Sequence, residues 1–462
     1  MENNITVPVY SEQELSPRAA EVIRKIADDM FPEYTIKFRL YNEYDQRVLV
    51  FGRAPSGVQG IEFVYTYSIA QVMSKPNAAT VLAAGIRQFI TKPVMPDFQP
   101  VGTLYFGPEM AVLDFSRPTA IDIETDGNLG KTHTAEEVNV ISVAFYQEGH
   151  PPIVLTGPSK WDDNGDTIIG PLGLVRHELA EFIQKFEKPI YHNGKFDVRV
   201  MSRYFGVELN VWFDTMLAHH TLNHAAGKHD LKTLARRYLG APEWEAGLSK
   251  YTKQGGHYEY IPHAQLVEYN GWDVYWTYEL YKLFAPQIEA DENFQKSFEL
   301  EMAAADFLLE VERTGIPFDD EYAEEFYNKQ MLVAENTINN MRDELGDQGF
   351  NPNSPTQVTK ALTPMTGKLW TKTDVDTLEE YMKEYPDTTA KKFITNLLAY
   401  RKATKIARTY ITGWRKHMRN GRVHPTFHVH GTTTGRLSSG SPNAQNVPRD
   451  KAIRRLVKVS NG

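Results

Sequence analysis

The amino-acid sequence predicts an α/β protein in three parts. These are a small α+β region over 1–115, a mixed sheet with helices over 116–290, and a mainly helical region over 291–462. Three observations carry this reading. At roughly 150 residues per domain, 462 residues suggest about three domains. Between about 116 and 290, short apolar strand patterns give way to helical spacing, the order expected of a mixed α/β domain. From about 291 onward helical spacing dominates.

Composition narrows the function classes. An apolar share of 41% and a charged share of 24% are ordinary for a globular chain, which argues against a disordered or fibrous one. No stretch approaches the roughly 20 apolar residues of a membrane-spanning helix, so no membrane association is expected. The start, MENNITVPVY, lacks the basic and apolar regions of a signal peptide. The absence of cysteine excludes disulfides, thiolate zinc sites, iron–sulfur clusters and cysteine nucleophiles, and fits a reducing cytosol.

The elements follow in order. Residues 11–30 read as a helix, with Ser11 and Glu14 as a capping box. YTIKFRLYNEYDQRVLVFG reads as two strands around a polar turn, and RAPSG after it as an ordinary turn. The prolines and apolar patches of 76–118 suit a linker or docking region. TAIDIETDG, NVISVAFYQ and PIVLTG read as strands, so 120–156 is an antiparallel meander. PIYHN is a strand leading into the helix GKFDVRVMSRYFG. FDTMLAHHTLN, DLKTLARRYLG and LVEYNGWDVYWTYELYKLF follow with helical spacing. Next comes a long amphipathic helix ending at Gly315, with Pro317 as a stop. Helices at 320–345, 374–384 and 389–418 precede a final loop-rich segment.

The net charge of −9 hides an asymmetry. Residues 391–462 hold 16 Lys and Arg and one acid, Asp450, a balance of +15. Residues 1–390 hold 34 basic and 58 acidic residues, a balance of −24. A tail this basic is an electrostatic footprint for a polyanion. Tyr400, Tyr410, Trp414 and His417 interleave with it, as in a nucleic-acid surface.

Four carboxylates form three local patterns. Asp122 and Glu124 are two apart on a strand and share one face. Asn193 and Asp197 are four apart at a strand-to-helix junction. Tyr269 and Asp273 are four apart on a helix, again on one face. Converging carboxylates bind hard divalent cations through oxygen. Two such ions about 3.5–4 Å apart activate a water and stabilise the leaving oxygen of a phosphodiester. The Tyr269 hydroxyl could orient that water. Taken singly, each pattern also fits a solvated surface pair; the ordered set is what points to chemistry.

AIDIETDG, YHNGKFDVRVM and YNGWDVYWTYEL resemble the three motifs of the DEDD superfamily of 3′→5′ exonucleases, in the form with a tyrosine. FDTMLAHHTLN and HDLKTLARRYLG resemble that family's intervening helices. The resemblance covers about 116–285 and implies a ribonuclease H-like fold. It implies that Asp122, Glu124, Asp197 and Asp273 hold two Mg2+ or Mn2+ ions, that Tyr269 positions the attacking water, and that Asn193 helps hold the 3′ end of a single DNA strand. Asp214 falls where the family has a buried structural acid. His192, His219 and His220 read as packing or surface histidines.

LLEVERTGIPFD, NPNSPTQV, LLAYRKATKIARTYI and HGTTTGRLSSGSPNAQNVP resemble family A DNA polymerases of the bacterial DNA polymerase I type, with thumb helices followed by the start of the palm. The resemblance implies that Arg436, Asn443 and Gln445 contact the minor groove of a primer–template. It also implies that basic residues of 391–419, Lys405 and Arg408 among them, touch its phosphates. Turn chemistry is the other reading of Asn443 and Gln445. The family's D-Y-S-x-x-E-L-R, R-x-x-x-K-x-x-x-F/Y-G and H-D-E motifs do not occur, so the palm metal ligands and the nucleotide-binding lysine are missing. A split polymerase gene, a truncation and one part of a two-chain enzyme would each account for this; if a second polypeptide carries palm and fingers, it is the expected partner, with the apolar run around Leu456 and Val459 pairing with its sheet. The lack of a 5′-nuclease resemblance in the first 110 or so residues fits a phage-type enzyme, acting in the cytoplasm of a bacterium or of a phage-infected cell. Two alternatives stay open: a stand-alone RNA-processing exonuclease of the same superfamily, and a non-catalytic DNA-binding subunit of a split polymerase.

Overall fold

The structure, a computed structural model, describes residues 3–11, 16–30, 34–42, 47–51, 62–66, 69–74, 82, 85, 86, 89 and 96–458; within the last stretch 128–136, 163, 164, 166, 174, 225–227, 246, 253–256 and 433 are not described. The chain divides into two compact units. Met1–Leu309 with Val429–Leu437 form the first, and Glu310–His428 with Ser438–Gly462 the second.

The first unit opens with β1 (Asn3–Ser11), α1 (Pro17–Met30), β2 (Tyr34–Leu40), β3 (Arg47–Phe51), β4 (Glu62–Thr66) and α2 (Ile69–Ser74). The sheet order is β2-β1-β3-β4, with every pairing parallel. The two strands expected over 34–52 are present, but they pair with β1 and not with each other. Consecutive buried residues Val7, Pro8 and Val9 make β1 a strand covered on both faces, and such strands take the centre of a parallel sheet. Ser11 ends β1. The helix cap is instead Ser16, whose Oγ accepts the Ala19 amide at 3.2 Å, with Pro17 opening the helix. Glu14 and the RAPSG turn lie outside the described residues.

A six-stranded mixed sheet follows, in the order β12-β11-β6-β7-β8-β5. Its strands are β5 (Val101–Thr103), β6 (Thr119–Thr125), β7 (Val140–Tyr146), β8 (Ile153–Thr156), β11 (Pro189–Tyr191) and β12 (Phe213–Asp214); a small separate hairpin supplies β9 (Ser159–Trp161) and β10 (Thr167–Ile169). β6, β7 and β8 form the expected antiparallel meander. β11 runs parallel to β6, and β5 parallel to β8. Part of the segment read as linker is therefore a sheet edge; three residues are too few to show a strand period. β7 is buried along its whole length, with α3 (Arg176–Ile183) and α4 (Gly194–Phe205) contributing to the core around Ile121, Val143, Phe145, Leu179, Val198 and Met201. The helix His263–Glu289 packs against β6 and β7. The residue before β5 lies against this helix at Gly271, where a Cβ would stand 2.4 Å from Pro100 Cβ.

The second unit is mainly helical. Gly315, at φ 67°, ends the helix Glu292–Thr314 as the sequence predicts. Helices Asp320–Leu345, Pro355–Thr366, Val375–Glu384 and Lys391–Lys405 bury Met341, Phe350, Leu362, Leu378, Phe393 and Leu397. The last helix continues as a π-helical turn, Ile406–Thr412. Tyr400, Tyr410 and Trp414 are buried, so they are core residues and not part of the nucleic-acid surface their interleaving with basic residues suggests. The helical period explains this, because they fall on the face opposite exposed Lys402, Lys405 and Arg408. Leu456 is also core, and Val457 bridges to Phe318; this end is closed against its own unit, and Val459 lies outside the described residues. Among the described residues, no helix is long and apolar enough to cross a membrane.

Candidate active site

β6 presents Asp122 and Glu124, and the His263–Glu289 helix brings Tyr269, Asn270 and Asp273 to them. Carboxylate oxygens of Asp122, Glu124 and Asp273 all lie within 4.8 Å of one another. Asn270 Nδ2 donates to Asp122 Oδ2 at 2.6 Å, while its Oδ1 accepts from Ser142 Oγ at 2.9 Å. Asp273 is held at both oxygens, by Trp244 Nε1 on Oδ1 at 2.6 Å and by Lys232 Nζ on Oδ2 at 2.7 Å. Lys232 Nζ also donates to the Tyr269 hydroxyl at 2.9 Å.

The second motif sits where β11 passes into α4. Asn193 takes the left-handed conformation, φ 67°, and Gly194 follows because a Cβ there would stand 2.5 Å from Tyr191 Cβ. Asp214 organises this turn. Its carboxylate accepts the amides of Asn193 at 3.1 Å and Gly194 at 2.8 Å while capping the helix Thr215–Leu222 through Met216 and Leu217. Asp197, on the first turn of α4, is buried and aimed at β6. Its Oδ1 accepts the Ile123 amide at 3.3 Å, between Asp122 and Glu124. The structure thus gathers three of the four predicted carboxylates into one group and sets the fourth beside them, on the strand backbone.

The electrostatics of the group follow from its burial. Desolvation, then the charge of Asp273, pushes the Asp122 carboxyl well above the usual carboxylate range. Burial followed by Asp122 and Asp273 does the same to Glu124, and burial followed by Asp122 to Asp197. Burial opposes the charge on Lys232, but Asp273, Asp122 and Glu124 outweigh it and hold the ammonium above its usual range. One ammonium does not balance these acids. All the converging donors are oxygens, the set that suits a hard divalent cation, so the residues fit such an ion.

Lys232, Trp244, Asn270 and Ser142 are site residues that sequence reasoning missed. Asn270 stands inside the third motif, between Tyr269 and Asp273, and its place on the helix was the one available signal. Lys232 reaches the group from a one-turn helix, Leu231–Leu234, and only the tertiary fold shows it.

The histidines behave as packing residues. His219 Nδ1 is 2.8 Å from His229 Nδ1, and its Nε2 is 2.9 Å from the Tyr238 hydroxyl. His220 Nδ1 pairs with Glu301 at 2.8 Å. His192 Nδ1 meets Thr215 Oγ1 at 2.8 Å.

The residues predicted to touch duplex DNA all lie at the surface. Lys405 and Arg408 are exposed on the basic helix face, and no ion pair among the described residues engages them. Arg436 is exposed, as are Asn443 and Gln445. Asn443 Oδ1 accepts the amides of Gln445 and Asn446, both at 3.1 Å, so turn formation already occupies that oxygen.

Comparison with known proteins agrees with this geometry. Residues 116–289 match the sequence model of a 3′-5′ exonuclease domain, and residues 321–461 that of DNA polymerase family A. The DNA polymerase of Escherichia phage T5 is 30% identical over 305 residues, covering 57% of this chain and 34% of the relative. DNA polymerase I of Aquifex aeolicus is 30% identical over 291 residues, covering 59% of this chain and 48% of the relative. DNA polymerase I of Borreliella burgdorferi is 26% identical over 355 residues, covering 74% and 37%. The chain thus spans less than half the length of these relatives. Among solved structures, the POL domain of Pol1 from M. smegmatis, in complex with DNA primer-template and dNTP, matches with a TM-score of 0.59 at 22% identity. That match covers 78% of this chain and 59% of the other, and it shows the fold. With the two family matches side by side and the exonuclease motifs gathered on one sheet, the chain belongs to the family A DNA polymerases and carries their 3′-5′ exonuclease domain.

Proposed function

We propose that this chain removes nucleotides from the 3′ end of single-stranded DNA as the proofreading part of a family A polymerase. The observation that carries the reading is the group of Asp122, Glu124 and Asp273, with Asp197 beside it and Tyr269 joined to Asp273 through Lys232. Residues 116–290 are the exonuclease domain on this reading, 291–462 the thumb and the start of the palm, and 1–115 a separate domain of unassigned role.

Asp122, Glu124, Asp197 and Asp273 would hold two divalent ions, Mg2+ or Mn2+. Ions bound there supply a water activated near neutral pH and charge for the leaving 3′ oxygen. The chain's own residues do the rest. Asn270 and Trp244 fix the carboxylates, so that little reorganisation accompanies hydrolysis. The Tyr269 hydroxyl, protonated because burial and then Asp273 and Glu124 push its pKa well up, accepts or donates a hydrogen bond without becoming charged. It holds the attacking water in line with the phosphorus. Asn193, set in its left-handed turn by Asp214, would help hold the 3′ nucleotide. Lys405, Arg408, Arg436 and Gln445 would contact primer–template duplex, the first two through phosphates.

The palm ligands and fingers lysine of the family are not among these 462 residues. Templated synthesis needs them from elsewhere, on a continuation of this polypeptide or on a second one. The proposed setting is the cytoplasm of a bacterium or phage-infected cell.

The test is degradation of 3′-labelled single-stranded DNA in magnesium, with RNA of the same sequence in parallel. DNA should be shortened from the 3′ end, and chelation should stop it. Replacing Asp122 and Glu124 together by Ala removes two members of the group, and activity should fall by several orders of magnitude. Undiminished hydrolysis in that variant refutes the assignment, and a preference for RNA would favour the RNA-processing alternative.

A further inference from the structure

We propose that Lys232 is a positioning residue of the exonuclease centre, acting through the Tyr269 hydroxyl. The inference rests on the reading of Tyr269 just given. Lys232 Nζ is the one cation in hydrogen-bond contact with both Tyr269 and Asp273 among the described residues, at 2.9 Å and 2.7 Å. It also sits over the Tyr269 ring, 4.6 Å from its centroid, and 5.6 Å from that of Trp244. Its side chain is only 20% exposed. The short helix that carries it is fixed at its start by Asp230, which accepts the Thr233 amide at 2.9 Å. An ammonium held by Tyr269, Asp273 and Trp244 in this way has little rotamer freedom left.

The consequence for Tyr269 is geometric. A phenol oxygen has one proton and two lone pairs. Lys232, a donor only, takes one lone pair. That leaves the proton and one lone pair for the attacking water and for Tyr258, which is hydrogen-bonded to Tyr269. A hydroxyl free to rotate would present its proton and both lone pairs in turn, whereas here one lone pair is fixed on Lys232 and only the proton and the other lone pair remain for the water and Tyr258. Lys232 also spans from the tyrosine to Asp273, one member of the carboxylate group, so it ties the water-orienting residue to the residues that would hold the ions. Its charge works against cation binding even as its donors order the tyrosine. The two effects have opposite signs, and that separates a positioning role from a structural one.

The experiment compares wild type, Lys232→Met, Lys232→Arg, Tyr269→Phe and the double variant Lys232→Met/Tyr269→Phe. Single-turnover hydrolysis of 3′-labelled single-stranded DNA is measured alongside Mn2+ binding, the latter by electron paramagnetic resonance without DNA. Lys232→Met should slow hydrolysis on the order of 10²-fold at saturating DNA, with KM little changed. It should bind Mn2+ as tightly as wild type or more tightly, since a positive charge has left the site. The double variant should be no slower than the slower single variant, because both remove the same positioned hydroxyl. Lys232→Arg, which keeps a charged donor, should recover part of the rate. Wild-type hydrolysis by Lys232→Met, additive losses in the double variant, or weakened Mn2+ binding with the fold intact each overturn the proposal. Should circular dichroism show Lys232→Met unfolded, Lys232→Ala, which likewise removes the donor and the charge, takes its place under the same criteria. A wild-type chain that binds Mn2+ but cleaves no DNA would instead refute the exonuclease reading itself.

Discussion

At the scale of single residues, what spacing can reveal depends on how a side chain reaches the site. Asp122 and Glu124 share a strand face, and Tyr269 and Asp273 share a helix face, so local periodicity alone brackets them. Asp197 is legible in the same way, although its carboxylate meets the Ile123 amide and not the group of three. Lys232 and Trp244 lie 41 and 29 positions before Asp273, on segments whose own patterns are those of ordinary packing. No local signal separates them from surface residues. Tyr269 is the residue whose role is most open to measurement. Tyr269→Phe removes one hydroxyl and leaves the carboxylates in place. Hydrolysis should slow on the order of 10²-fold while Mn2+ binding holds, because on the proposed mechanism the hydroxyl orients water and is not the charge source. A Phe variant with the wild-type rate would make Tyr269 a packing residue.

At the scale of elements, the long helices and the 120–156 meander are readable because their periods run over many residues. The three-residue strand β5 and the parallel pairing of β2 and β3 through β1 are not, since partner choice is a tertiary matter. The aromatics of the basic helix show the limit most plainly. Composition alone cannot tell Tyr410 on the buried face from Lys405 on the exposed one; the helical period can. The helix Thr215–Leu222 carries a prediction of its own. Burial holds the neighbouring His229 imidazole down to about 4 and that of His192 to about 3. Between the ordinary histidine value of roughly 6.5 and those values, the unfolded chain binds more protons than the folded one. The stability these neutral rings contribute is fully present above pH about 6.5 and is lost as pH falls toward about 4. His229→Asn should therefore make the decline of Tm over that window shallower than in wild type. Parallel melting curves for the two proteins would argue that His229 binds its proton equally well in both states.

At the scale of the whole molecule, the charge asymmetry divides the labour of the chain. The +15 of residues 391–462 suits a polyanion such as the proposed primer–template, while the acidic remainder carries the carboxylate group proposed to hold cations. Deleting the basic tail would not test this cleanly, because Tyr410, Trp414 and Leu456 belong to the core of the second unit. Lys405→Ala with Arg408→Ala leaves that core alone. Each phosphate no longer neutralised should take about 0.9 from the slope of log affinity against log salt for primer–template DNA. An unchanged slope would mean that these two side chains face only solvent. The same asymmetry bears on nucleotide addition. Transfer to a primer needs several acidic ligands for its ions and a cation on the incoming phosphates. Asp450 is the only acid from residue 391 onward, and its carboxylate is spent locally. Oδ1 caps the helix Lys451–Arg454 by accepting the Ala452 amide at 2.9 Å, and Oδ2 lies 3.4 Å from Lys402. A carboxylate in that position anchors the fold, and among the described residues it belongs to no group of acids that could hold an ion. A polypeptide of these 462 residues should therefore extend no primer in magnesium or manganese. Extension should appear only when the family's palm and fingers sequences are supplied, fused to it or as a separate chain. Templated incorporation by the 462-residue polypeptide, retained by an Asp450→Asn variant and after removal of any contaminating polymerase, would place a polymerase site in a part of this chain where neither its charge pattern nor its motifs locate one.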